Sequence, residues 1–303
     1  MAVVGGGPVQ ELSRPTTVVS LPAGDVEYRL ERREGGVVLV FHGGHVRAGL
    51  ALGEEVFAAS GYTVLAPSRP GYGRTALAAG PSVEEFTDVV RALCRRLGID
   101  RVAAVVGISG GGPTAATMAA RHGDLVERLV LVSAVGWLPY PDPLVRLGSH
   151  VVFAAGTERA TWAGIRAFAR VAPDACLRMM LRSLSTRPAG EVVAALSAAD
   201  RALLLALFAE MRSGRGFLND VRPTPDITAR IAQPTLVIAT RRDGGVPFDH
   251  ALSLAGSIRR AELVESRADS HFVWLGPDWP AICEQIEGFL HADPSASADH
   301  HLS

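Results

Sequence analysis

The chain of 303 residues reads as an α/β protein, a mostly parallel central sheet with helices on both faces and a helical segment inserted late. Three observations predict this. Short apolar runs rich in β-branched residues alternate with amphipathic stretches; Gly-rich turns directly follow several of those runs; and from about Ala134 to Ile231 the texture becomes almost wholly helical before sheet texture returns. The expected division is a core of residues 16–133 and 232–291, a helical cap over 134–231, and flexible ends at 1–15 and 292–303.

The first run, Val37-Val-Leu-Val-Phe41, passes into the turn His42-Gly-Gly-His45. A helix near Leu50–Ser60, a strand Thr63–Ala66 and the Pro/Gly loop Ser68-Arg-Pro-Gly-Tyr-Gly-Arg74 follow. Ser82-Val-Glu-Glu85 has the form of a capping box, and Phe86, Val89, Val90, Leu93 and Leu97 continue it at helical spacing. Arg101–Ile108 is the continuous apolar run of a strand buried on both faces, and Pro113 opens a small-residue helix to Arg121. Leu129–Val132 is a further strand. Beyond the insertion come a strand Thr235–Thr240, a helix near Phe248–Ile258, a strand Glu262–Val264 and a closing helix Trp279–Leu290.

Composition excludes several kinds of chemistry. All 30 basic residues are Arg, so neither a Schiff-base lysine nor a phosphate-loop lysine is available. A net charge of −1 supplies no basic field for nucleic acid. Cys94, Cys176 and Cys283 are isolated, which argues against a disulfide framework and a zinc site. No signal-like leader or membrane-spanning run is evident, so a cytoplasmic protein with no membrane partner is expected. The expected partner is a small-molecule substrate, with no cofactor; a homo-oligomer is left open.

Gly107-Ile108-Ser109-Gly110-Gly111 fits G-x-S-x-G between a buried strand and a helix. There the serine hydroxyl is pushed into a cleft at the positive end of the helix, where backbone N–H groups meet a developing oxyanion. With His42-Gly-Gly, Arg241-Arg-Asp243-Gly-Gly and Asp269-Ser-His271, this elbow resembles the α/β-hydrolase fold family, its capped serine hydrolases in particular, over roughly residues 16–290. The resemblance implies nucleophile, acid and base in the chain order Ser109, Asp243, His271. Asp269 is a rival acid by proximity, but is expected to be a solvated loop residue. The family's other acid location, after the strand ending at Val132, offers only Ser133 and Ala134.

Backbone N–H groups of Gly44 and Gly110 are the implied oxyanion donors. His42 and His45 lack the third ligand a metal needs, so no metal is expected. His42, His45, Trp137 and Trp162 are candidate substrate contacts, with Phe168, Met179 and Met180 as further apolar lining. Arg166, Arg170, Arg178 and Arg182 fit a solvated helix face better than an acidic-substrate site, and Asp220 stays unassigned. Ser68 stands where many relatives carry Asp. The implied activity is hydrolysis of an ester, lactone or thioester of a small apolar molecule through an acyl-serine. The alternatives are a non-hydrolytic reaction (acyl transfer, carbon–carbon cleavage or cyclisation) and a receptor-like binding module.

Overall fold

A computed structural model of the protein describes residues 12–140, 152–153 and 156–292. Eight strands form one sheet in the order β1-β2-β4-β3-β5-β6-β7-β8. They are β1 Thr17–Leu21, β2 Gly24–Glu31, β3 Gly35–Phe41, β4 Tyr62–Pro67, β5 Ala104–Ile108, β6 Leu129–Val132, β7 Thr235–Ala239 and β8 Ala261–Glu265. Pairs β1–β2 and β2–β4 are antiparallel and the rest parallel. Alternation along the strands sorts the buried side chains onto two faces. Val38, Val40, Val106, Val130 and Ile238 belong to one hydrophobic cluster, and Leu39, Phe41, Val105, Leu131 and Val237 to the other.

The helices that follow are α1 Glu55–Ala59, α2 Val83–Arg96, α3 Gly112–Arg121, α4 Glu158–Val171, α5 Pro173–Leu181, α6 Ala189–Ala195, α7 Ala198–Glu210, α8 Gly216–Asp220, α9 Asp249–Ser257 and α10 Trp279–His291. Ser82 and Glu85 form the capping box at the start of α2, with both reciprocal bonds made. Helices α2, α3 and α9 cover one face, with Phe86, Val90, Ala115, Met118 and Leu254 buried there. The other face holds Phe57 of α1 and Ile286 of α10. Leu177, Leu181, Leu204 and Phe208 of the segment between β6 and β7 join the same hydrophobic cluster, while their helices pack chiefly on one another.

Strands β1 and β2 depart from the expected start of the sheet at Val37. Strand β2 alternates Val26, Tyr28 and Leu30 with Glu27, Arg29 and Glu31, a period-2 pattern, and it departs from an ordinary half-exposed strand because Glu27 and Arg29 on its polar face are buried as well. Both charges are paired: Glu27 accepts from Thr16, Ser68 and Arg74, and Arg29 donates to Glu31, Glu54 and the Ala48 carbonyl. Helix α1 is shorter than Leu50–Ser60 because Gly53 sits at φ +68, outside helical space. Residues 12–15, expected as part of a mobile end, are tied to the core through Arg14 N–H to Gly49 O and Ala51 N–H to Leu12 O. The expected flexible stretches 1–11 and 293–303 lie outside the described residues. No helix of the described residues is long and apolar enough to cross a membrane.

Candidate active site

Strand β5 ends at Ile108, and the chain turns through a short 3₁₀ segment, Ser109–Gly111, into α3. Ser109 has φ +52, a conformation costing a non-glycine residue about 1–3 kcal/mol. The turn is tight enough that a Cβ on Gly107 would lie 2.7 Å from Cβ of Ala115, and one on Gly111 would overlap the Phe41 carbonyl. The Ser109 carbonyl accepts from Val135 N–H at 3.0 Å, which fixes the backbone while the half-buried hydroxyl makes no hydrogen bond among the described residues.

Asp243 follows β7 and is 3% exposed. Its Oδ1 accepts from the N–H groups of Gly245 (2.7 Å) and Val246 (2.8 Å), and its Oδ2 lies 2.7 Å from Nδ1 of His271. An acceptor on Nδ1 selects the tautomer with the proton there, which leaves Nε2 as a base. The backbone of His271 is held from two directions: its N–H donates to Leu184 O at 2.8 Å, and its carbonyl accepts from the Ser133 hydroxyl at 2.9 Å. Ser185 pairs with Asp243 as an isolated bridge and donates through Oγ to Asp269 O. Leu184 and Ser185, from the chain after α5, thus brace both loops.

Asp269 is not the solvated residue that its loop position led us to expect. It is three-quarters buried and pairs with Arg187 and Arg242. Burial pushes its carboxyl up, but the two guanidinium groups outweigh that and hold it below the usual carboxylate range. Its carboxylate is taken up by these two guanidinium groups, and the partner of the His271 imidazole is Asp243.

The loop after β3 runs beside the elbow. A Cβ on Gly43 would come within 2.8 Å of Cβ of Ser109, so only glycine fits there. On the far side of the serine, a Cβ on Gly110 would lie 3.5 Å from the Gly44 nitrogen, which brings the Gly44 backbone N and Gly110 together, and the Phe217 ring covers Gly44. His42 differs from its expected place against substrate. It is 4% exposed, with Nε2 2.9 Å from Glu54 Oε2, because the buried Arg29–Glu54 pair draws it inward. Burial raises the Glu54 carboxyl, yet His42 and Arg29 together bring it below its ordinary value.

His45, at φ +66, stacks on Phe217 with ring centroids 4.3 Å apart. Its Nδ1 is 2.7 Å from the Ser213 hydroxyl, which also accepts from Trp162 Nε1 at 2.8 Å. One hydroxyl proton then serves His45, and the imidazole is neutral. Burial, with the Arg69 charge, pushes its pKa down to about 3. Trp162, a candidate substrate contact, is 1% exposed and packed behind His45, and Trp137 packs against the face carrying Leu254. Met179 is exposed, as are Arg170, Arg178 and Arg182, the expected solvated positions.

Residues that sequence reasoning passed over complete the site. Arg69 donates through Nε to the His42 carbonyl (2.9 Å) and through both terminal nitrogens to Asp220. Tyr72 donates to Asp220 Oδ2 at 2.6 Å. Tyr140 lies close enough to Asp243 and Asp220 that their charges, added to burial, lift its hydroxyl to about 12. A cleft of about 410 Å³ reaches Gly110 and is lined by Arg69, Thr114, Asp220 and Arg222. The Pro/Gly loop of residues 68–74 and the unassigned Asp220 were the only hints of this; Arg69 and Tyr72 share that loop, while Tyr140 and Asp220 come from two other stretches of the chain.

Comparison with known proteins agrees with this architecture. The alpha/beta hydrolase fold family model matches residues 36–277. The uncharacterized hydrolase YcgS of Bacillus subtilis is 30% identical over 287 residues, covering 93% of this chain and 100% of that protein. An alpha/beta hydrolase fold protein from Nakamurella multipartita superposes with a TM-score of 0.74 at 26% identity, covering 91% of this chain and 99% of that one. The enol-lactonase from Burkholderia xenovorans (TM-score 0.68, 20% identity, 91% and 100% covered) shares the fold. So does an esterase from Exiguobacterium antarcticum (0.63, 16%, 91% and 99%). With the elbow after β5 and the loops after β7 and β8 all in place, the chain belongs to the alpha/beta hydrolase fold family.

Proposed function

We propose that the protein is a serine hydrolase that cleaves a carboxylic ester, lactone or thioester of a small apolar molecule, with Ser109, His271 and Asp243 as its triad. The observations that carry this reading are the 2.7 Å contact between Asp243 Oδ2 and His271 Nδ1 and a serine held at positive φ on a tight elbow after β5. In this mechanism His271 Nε2 takes the hydroxyl proton as Oγ of Ser109 attacks the acyl carbon. Asp243 stabilises the imidazolium without taking its proton, since its other oxygen is already fixed by two backbone N–H groups.

The backbone N–H groups of Gly44 and Gly110 receive the oxyanion, and neither needs a side chain to do so. His271 then protonates the leaving oxygen or sulfur, and the acyl-Ser109 ester is hydrolysed by a water that the same imidazole deprotonates. The helical segment 134–231 acts as a cap, and its aromatic residues near His45 make the walls apolar. The hydrolase relative at 30% identity supports hydrolysis over the other chemistries of this fold.

Incubation with a chromogenic short-chain ester and with a serine-directed phosphonate, wild type beside Ser109→Ala, tests the proposal. Turnover and labelling in wild type that both vanish in the variant are expected. Labelling without turnover would redirect the reading to a non-hydrolytic reaction, and the loss of both in wild type would leave a binding module.

A further inference from the structure

The glycines that carry the two oxyanion donors have no side chains of their own to hold them in place. The loop bearing Gly44 runs from His42 to His45, and a single cluster touches it at two points. Arg69 Nε donates to the His42 carbonyl at 2.9 Å. The Tyr72 hydroxyl comes within 3.9 Å of where a Cβ on Gly44 would stand. Both side chains converge on one carboxylate: Asp220 accepts a two-nitrogen fork from Arg69 and the Tyr72 hydroxyl proton at 2.6 Å. The Arg69 side chain is 4% exposed and that of Asp220 15%.

Position sharpens the point. Any substituent on Gly110 would meet the Gly44 nitrogen, Arg69 Nη2 and Asp220 Oδ2 within 3.5–3.7 Å, so the cluster stands immediately behind the pair of proposed donors. Asp220 ends α8, in the segment between β6 and β7, whereas Arg69 and Tyr72 belong to the loop after β4. The Asp220 carboxylate therefore joins that segment to the oxyanion loop, beside the contacts that Ser213 and Phe217 make with His45.

We infer that Asp220, acting through Arg69 and Tyr72, is the positioning residue that sets the Gly44 N–H against the oxyanion, so that the donor is in register only while the inserted segment is docked. This rests on the serine-hydrolase reading above. The carboxylate cancels the guanidinium charge where it stands, leaving a rigid clamp rather than a free cation beside the reacting oxygen. A backbone donor displaced by about 1 Å can cost on the order of 100-fold in rate.

The test compares wild type with Tyr72→Phe, Asp220→Ala and the double variant Arg69→Met/Asp220→Leu. The last removes a buried pair together, which folded proteins tolerate far better than loss of one partner. Three quantities are read on each folded variant: kcat for the chromogenic ester, inhibition by a trifluoromethyl ketone of matched chain length, and inhibition by the corresponding plain alkyl ketone. The trifluoromethyl ketone forms a hemiketal, in which the Ser109 Oγ–carbon bond forms, the carbonyl electron pair becomes an oxyanion and the hydroxyl proton passes to His271.

The double variant is expected to lose about 100-fold in kcat and a matching factor in affinity for the trifluoromethyl ketone. Affinity for the plain ketone should change less than about 3-fold, and Tyr72→Phe should lie between wild type and the double variant on the same line. A folded double variant with wild-type kcat overturns the inference, as does an equal loss of affinity for both ketones. Wild type that neither turns over ester nor takes up the trifluoromethyl ketone overturns the serine-hydrolase reading instead, and the clamp falls with it.

Discussion

Two neighbouring strands end on a serine in the same unusual conformation. Ser109 after β5 has φ +52, and Ser133 after β6 has φ +45. Their hydroxyls differ in what they do. That of Ser133 is buried and donates to the His271 carbonyl at 2.9 Å, while that of Ser109 makes no hydrogen bond among the described residues and stands beside Gly43. The same backbone strain thus serves to brace a loop at one strand end and to hold the proposed nucleophile at the other. What separates them is the company each keeps: Gly110, Gly111 and Pro113 open a helix at once behind Ser109, whereas Ser133 leads into the inserted segment.

The sharpest way to break the comparison is at the carboxylate that holds the imidazole. Asp243→Asn should lower kcat by about 10⁴-fold with the fold intact, because an amide in place of Oδ2 no longer selects the tautomer that carries its proton on Nδ1. Ester turnover and the circular dichroism spectrum together check this, and retention of more than a tenth of the activity would remove Asp243 from the reaction. Ser133→Ala is expected to be far milder, lowering kcat by less than about 10-fold and destabilising by about 1 kcal/mol, the net value of one buried hydrogen bond. Urea midpoints beside kinetics would show it, and a kcat loss as large as that of Asp243→Asn would end the distinction between the two serines. Ser109→Gly should instead raise stability by about 1 kcal/mol while abolishing turnover, since glycine adopts positive φ without strain. An unchanged or lower urea midpoint would mean that the elbow stores no strain in the serine.

A smaller effect concerns acid stability. His45 takes its proton in the folded state only near pH 3, and in the unfolded chain near pH 6.5. The unfolded state therefore binds the extra proton between those values, and stability that is complete above about pH 6.5 declines as the pH falls toward 3. The slope from this one group is at most about 1.4 kcal/mol per pH unit. His45→Asn, which tolerates the positive φ, should flatten the fall in urea midpoint between pH 6.5 and 5. A slope equal to wild type would assign the effect to His122 and His250, whose pKa values burial also lowers.

Much of the molecule was legible because its rules are local. The strand–turn–helix of residues 104–121, the capping box at Ser82 and the two loops carrying Asp243 and His271 are each specified by residues within a few positions of one another. Strand β2 was legible in the alternation of Val26, Tyr28 and Leu30 and was passed over; what the sequence hid was the burial of Glu27 and Arg29, which look like surface charges until Ser68, Arg74 and Glu54, from distant stretches, are seen to pair with them. Asp220 was unreadable for the same reason, since its partners Arg69 and Tyr72 lie about 150 positions earlier in the chain. His42 and Trp162 misled in the opposite sense, for residue types that suit a binding wall were drawn inward by Glu54 and Ser213.

The chain between β6 and β7 contributes Leu177, Leu181, Leu204 and Phe208 to the same hydrophobic cluster as Val38, Val106 and Ile238. A substitute segment from a relative would have to bring matching knobs for that cluster, and excision would expose the apolar residues it meets there. Changes in what the enzyme accepts are therefore expected to arise by single replacements along existing helices, with wholesale exchange of the segment selected against by solubility before selectivity is ever sampled.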